Sequence, residues 1–181
     1  MEYTTSVNKN LKKFLKKCIV PEYSFILDPD QAVRKFNEIL QTTNSYIAGG
    51  FVVKALTKYP DSWNDKQDLD IYVNESNAPK LLEFIITNGL FRLSNSHLAP
   101  VYDQSFFKKN KIKIRYYLSA FQSYKHSVDI MVIPDNVDVK DVISNFDLTF
   151  CEVWWDGKNV GGTNVNDTVN KKGFLRKDYE K

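Results

Sequence analysis

Tyr46-Ile-Ala-Gly-Gly-Phe-Val-Val-Lys-Ala-Leu56, a polar loop, and then Asp68-Leu-Asp-Ile-Tyr-Val73 form the stretch that decides the fold. Its apolar lead-in predicts a short strand ending at Gly49-Gly50. A helical pattern follows over about Phe51 to Lys58, with Val52, Val53 and Leu56 on its apolar side. Asp68 and Asp70 then interrupt a run that is otherwise apolar. In a strand, residues i and i+2 point to one face. The two carboxylates therefore aim at one place while Leu69, Ile71 and Val73 face the core. Like charges this close raise one pKa unless a cation stands between them. Mg2+ answers that need, because it binds through one or two carboxylates together with substrate phosphates. Gly49 and Gly50 supply the other half of such a site. Glycines ahead of a helix let backbone N–H groups approach a phosphate closely, and the helix N-terminus attracts the anion.

Further along, Ser127-Val-Asp-Ile-Met-Val-Ile133 places a third acid, Asp129, in an apolar, β-branched run that reads as a buried strand. Gly-Gly, a helix, Asp-x-Asp on a strand and a third carboxylate on a later strand follow one another in an order that resembles the DNA polymerase β-like nucleotidyltransferase superfamily. The resemblance covers roughly the middle two-thirds of the chain. It implies an α/β (α+β) domain built on a mixed, twisted β-sheet with flanking helices mainly on one face, the palm-like nucleotidyltransferase fold. It also implies Mg2+ (or Mn2+) on Asp68, Asp70 and Asp129, and a triphosphate at Gly49 and Gly50. The implied reaction moves NMP from an NTP to an acceptor hydroxyl and releases pyrophosphate. Asp68 and Asp70 would hold the cation on the triphosphate. The same pair with Asp129 would hold a second one, and Asp129 is the general-base candidate.

Each assignment has a plainer alternative. Asp68 and Asp70 could instead be exposed acids of a strand edge or turn, but that reading leaves the paired glycines unexplained. Asp129 could instead be a buried acid paired with Lys or Arg, and its match to the third position of the resemblance speaks for the carboxylate role. Lys54 lies one turn into the helix, within reach of a phosphate, but a solvent-facing lysine fits the same position. The polar loop Tyr59 to Gln67 makes the gap between Gly50 and Asp68 longer than the superfamily pattern, a departure that loop entropy tolerates.

The 181 residues suit a single domain with a real core. With 43% apolar and 26% charged residues, the composition is globular and not that of a disordered chain. Twelve Phe and ten Tyr point to an aromatic-filled core, with base stacking as the functional alternative. A net charge of +3 falls short of the strong basic balance of a dedicated nucleic-acid binder. Cys18 and Cys151 lack a partner motif and read as free thiols in a reducing compartment. Neither a secretory h-region nor a membrane-spanning run is present in the sequence, so a cytoplasmic protein without membrane contact is expected.

Outside the deciding stretch, residues 1–20 predict an amphipathic helix with Leu11, Phe14, Leu15 and Cys18 inward and lysines outward. Asp30 is the expected N-cap of a second helix whose stripe is Val33, Phe36, Ile39 and Leu40. Ala78 to Asn88 reads as a helix stopped by Gly89, and Ser94 to Asp103 as a polar loop carrying His97. Lys111, Lys113 and Arg115 alternate with Ile112, Ile114 and Tyr116, which predicts a half-buried strand with a basic outer face. His126 and Asp129 are three apart and fall on opposite faces of a strand. Thr149 to Trp155 reads as a strand, and Asp156-Gly157 as the turn of a hairpin. Asp147 is assigned a backbone-capping role, and residues 161–181 form a polar tail.

The expected function is an Mg2+-dependent nucleotidyltransferase acting on an NTP. Its acceptor is open among RNA, a protein side chain and a small molecule. The basic strand and N-terminal lysines favour RNA. A tRNA- or protein-modifying toxin-like enzyme is not separable from this reading. The competing class is a catalytically inactive module of the same fold that binds RNA or a protein partner.

Overall fold

The computed structural model describes residues 2–18, 28–57, 67–87, 93–98, 112–120 and 123–175. Helix α1 spans Glu2–Cys18 and α2 Pro29–Thr42. Strand β1, Tyr46–Ala48, leads through Gly49 into α3, Gly50–Thr57. Strand β2 is Gln67–Asn74 and helix α4 Ala78–Thr87. Three strands follow: β3 Leu93–Leu98, β4 Ile114–Ala120 and β5 Ser123–Ile133. Helix α5, Val139–Ile143, a 3-10 turn at Thr149–Cys151, the hairpin β6 Val153–Trp155 and β7 Val160–Gly162, and helix α6 Val165–Val169 complete the order.

These strands form one seven-stranded sheet in the order β3-β4-β5-β2-β1-β6-β7. Among them, β2 and β5 run parallel and every other neighbouring pair is antiparallel. The expected mixed α+β sheet with flanking helices is therefore what the chain builds, and β2, the Asp-x-Asp strand, lies at its centre.

Alternation sorts the side chains onto two faces. Ile47, Leu69, Ile71, Val73, Val128, Ile130, Val132, Val153 and Trp155 form the main core with helices α1 to α4. Leu11, Phe14, Leu15 and Cys18 of α1 are all buried there, as their spacing requires. The opposite face carries a smaller cluster in which Ala48, Tyr72, Met131 and Ile133 meet Val139, Val142 and Ile143 of α5, together with Phe146. A buried polar link ties the helical layer to the sheet edge. The Trp155 Nε1–H donates to Asn37 Oδ1 at 2.9 Å, and Asn37 Nδ2 donates to Asn8 Oδ1 at 2.8 Å. The β6–β7 turn presses on the same helix, since a Cβ on Gly157 would lie 2.4 Å from the Asn37 carbonyl oxygen.

Several sequence expectations need correction. Asp28, not Asp30, caps α2, its Oδ1 accepting from the Gln31 N–H at 2.8 Å. Pro29 explains this, because proline is suited to the first helical position and so places the cap at the residue before it, two positions upstream of Asp30. Asp30 instead bridges to Lys12 of α1 at 2.9 Å. His97 lies in β3 opposite Tyr117, not in a loop. β3 ends the sheet order, and an edge strand tolerates such a polar sequence. Thr149–Cys151 is a 3-10 turn and not strand, because Thr149 is paired elsewhere. Its N–H donates to the Phe174 carbonyl, and its hydroxyl accepts from the Phe174 N–H. The expected loop at Tyr59 to Lys66, the Gly89 stop and the segment from Ala99 to Lys111 lie outside the described residues. Among the described residues, no helix is long and apolar enough to cross a membrane.

Candidate active site

Gly49 makes the turn from β1 into α3. Its φ is +78°, a left-handed conformation that glycine adopts without strain. Its carbonyl accepts from the N–H groups of Val52 and Val53, both at 3.0 Å, and so starts the helix. The amides of Gly50 and Phe51 precede the first intrahelical bonds, where a helix presents N–H groups outward. A Cβ built on Gly49 or Gly50 meets no heavy atom within 4 Å, so the turn faces open space. Lys54 is half-buried one turn further along α3.

Strand register brings this turn beside the acids. Ala48 is the Cα partner of Asp70, and Asp70 is the partner of Asp129 across the parallel pair. Register partners share a face. Asp68, Asp70 and Asp129 thus stand on the side of the smaller cluster, away from helices α1 to α4. His126 is directed the other way, its ring 5.7 Å from that of Phe14.

The three acids differ in setting. Asp68 is exposed and accepts a hydrogen bond from the Ser127 hydroxyl at 2.7 Å. Asp70 is half-buried. Its carboxyl is pushed up to about 7, first by burial and then by the charges of Asp129 and Asp68, against a lowering by Arg115. Asp129 is buried and gripped by Arg115 at both oxygens. Nε donates to Oδ1 at 2.8 Å and Nη2 to Oδ2 at 3.0 Å. Tyr72, next along the same face, has its phenol pushed well above its ordinary value by burial and then by Asp70 and Asp129.

Arg115 overturns one expectation. It is not on a solvated basic face, because it is only 5% exposed and points onto the acidic face of the sheet. Lys113, just before that strand, is exposed and pairs with Glu75. Asp147 caps its own backbone, accepting from the Leu148 N–H at 2.9 Å, in keeping with its structural assignment. Sequence reasoning missed Arg115 and Ser127 as members of the constellation. The signal for Arg115 was available: a lone arginine in an alternating strand beside a lone acid in an apolar one.

The donor set fits one divalent cation at Asp68 and Asp70. Two carboxylates share a face, and one of them is strained by like charge that a cation would relieve. Asp129 fits poorly as a shared ligand, because a cation there would lie against the buried positive charge of Arg115, which bonds both of its oxygens. Among the described residues, no group of three or more His, Cys, Asp or Glu side chains is gathered to hold a metal ion.

The family model described as Gad2, Gabija anti-defense 2 family protein, matches residues 6–172. Among solved structures, the chain is similar to the Thermotoga maritima CCA-adding enzyme complexed with tRNA(CCA), at 16% identity and a TM-score of 0.41. That match covers 80% of this chain and 28% of the enzyme's. No curated protein matches the sequence.

Proposed function

The chain belongs to the Gabija anti-defense 2 family, and we propose that it is a divalent-cation-dependent nucleotidyltransferase that moves NMP from an NTP to an acceptor hydroxyl. One observation carries the reading: the Ala48–Asp70 register sets the Gly49-Gly50 turn one strand away from the Asp68–Asp70 pair. An anion held at the turn and a cation held at the acids would then meet over one patch of sheet.

In this reading the amides of Gly50 and Phe51, with the α3 N-terminus behind them, hold the triphosphate. Lys54 adds positive charge one turn on. Asp68 and Asp70 hold Mg2+ or Mn2+, which supplies charge neutralisation on the phosphate oxygens. The Ser127 hydroxyl fixes the orientation of Asp68. The acceptor oxygen forms a bond to the α-phosphorus, the bond to the β-phosphate oxygen breaks, and pyrophosphate leaves. The hydroxyl proton passes to a base. Asp129 takes that part only after it leaves Arg115. The family's name sets its members against the Gabija defence; acceptor screening in this reading begins with RNA and goes on to protein side chains, in the cytoplasm.

Calorimetric titration of each NTP with Mg2+ or Mn2+ tests the reading. Binding that requires the metal, and that Asp68→Ala/Asp70→Ala abolishes, is expected. Equal binding by wild type and variant, or none by either, would overturn it. The Arg115–Asp129 pair favours a second reading, a module that holds nucleotide without transferring it. Metal-dependent binding without transfer of radiolabelled NMP from NTP to any RNA or protein acceptor would select that alternative.

A further inference from the structure

The assumption that Asp68 and Asp70 take a cation with nucleotide leaves open how many cations the site holds. We propose that it takes one divalent cation, with the Arg115 guanidinium standing in for a second. This inference rests on the function proposed above.

The pairing at Asp129 is of the kind that persists. Both carboxylate oxygens are engaged by two nitrogens of one planar guanidinium, at 2.8 and 3.0 Å. Such fork-to-fork contacts are the strongest and most directional of charge-assisted hydrogen bonds. Arginine keeps its charge at any physiological pH, so no proton loss releases the acid. Both partners are buried, at 5% and 6% exposure, which removes the water that would compete for them. An arriving cation would have to take the remaining lone pairs of Asp129 beside a buried guanidinium, against its positive charge, or displace it and leave that charge buried without its acid.

Exposure also falls across the sheet, from exposed Asp68 to half-buried Asp70 to buried Asp129. A hydrated ion meets Asp68 first and Asp129 last. Arg115 is thus a positioning residue that holds Asp129 out of the metal shell.

The test counts bound Mn2+ by electron paramagnetic resonance on the full chain with a non-hydrolysable α,β-methylene NTP analogue. Wild type is expected to hold one Mn2+ per protein–nucleotide complex. Arg115→Gln/Asp129→Asn replaces the ion pair by a neutral hydrogen-bonded pair and should also hold one. Arg115→Gln alone frees Asp129 and should raise the count to two. If that single variant does not fold, wild type and the double variant decide between them. Two ions in wild type and one in the double variant would overturn the inference while leaving the proposed function standing. No Mn2+ beyond that bound by free nucleotide would remove both.

Discussion

The acids of β2 and the acid of β5 share one face of one sheet, and they differ in almost everything else. Asp68 is exposed, and Asp70 is half-buried and crowded by negative charge. Asp129, directly across from Asp70, is sealed in and neutralised by Arg115. The β2 side thus carries crowded negative charge, which the proposed function assigns to a cation, whereas the β5 side has its counter-charge supplied by the chain. Sequence position does not set this difference, since all three are aspartates in apolar strands. The neighbouring strand sets it: β2 is flanked by β1, which offers Ala48, and β5 by β4, which offers Arg115.

Arg115→Ala should be the most damaging way to break the contrast. It leaves Asp129 buried without its partner, a loss of about 3–5 kcal/mol by precedent for buried pairs. Urea unfolding at pH 7 measures it, and a loss below about 1 kcal/mol would place the pair in the class of exposed bridges.

Asp70→Asn should act in the opposite direction. Asp70 has its folded-state pKa raised from 3.8 to about 7. Its contribution to stability is therefore full below pH 4 and is lost as pH rises through 7. The asparagine variant should match wild type at pH 4 and exceed it at pH 8 by about 1–4 kcal/mol, at 1.4 kcal/mol per unit. Unfolding curves at the two pH values check both size and sign.

Mg2+ should sharpen the contrast from the other side. With nucleotide present at pH 8, saturation to about 100 times Kd adds about 2.7 kcal/mol. Far less is expected at pH 5, where a proton on Asp70 competes. Asp68→Asn should remove most of the gain in a thermal shift, whereas a gain unchanged in that variant would separate the cation from β2.

The smallest effect concerns the glycines beside the open half. Gly49→Ala forces a Cβ into φ +78° and should cost about 1–2 kcal/mol. Gly50→Ala meets open space and should be nearly neutral for stability. Nucleotide titration should nonetheless weaken for Gly50→Ala, whose amide is assigned to the phosphate in the proposed reading, whereas the Gly49 N–H is already given to the Val153 carbonyl at 3.3 Å.

Much of this was legible in the sequence because it is local. The Gly-Gly turn, the facing of Asp68 and Asp70, the α1 stripe and the opposed facing of His126 all follow from periods of 3.6 and 2.0. What was misread depends on partners far away in the chain. Arg115 alternates like a surface residue, and only its diagonal position to Asp129, 14 residues later, shows otherwise. Thr149 has strand composition, yet its hydrogen bonds go to Phe174. Asp28 and Asp30 compete for one cap, and the proline between them decides it.

The parallel pairing of β2 with β5 also sets a timetable. Asp68 and the Ser127 hydroxyl that holds it are 59 positions apart in the chain. Closing so long a loop is the slow kind of event in folding, while helices and hairpins form early. During synthesis, Asp68 and Asp70 emerge well before Arg115 and Asp129, so their crowding arises only once β5 has paired with β2. β4 with β5 should therefore dock onto β2 after the local helices have formed, and the β1–β6 pairing, whose Ile47 and Trp155 lie still further apart in the chain, should close the sheet later again.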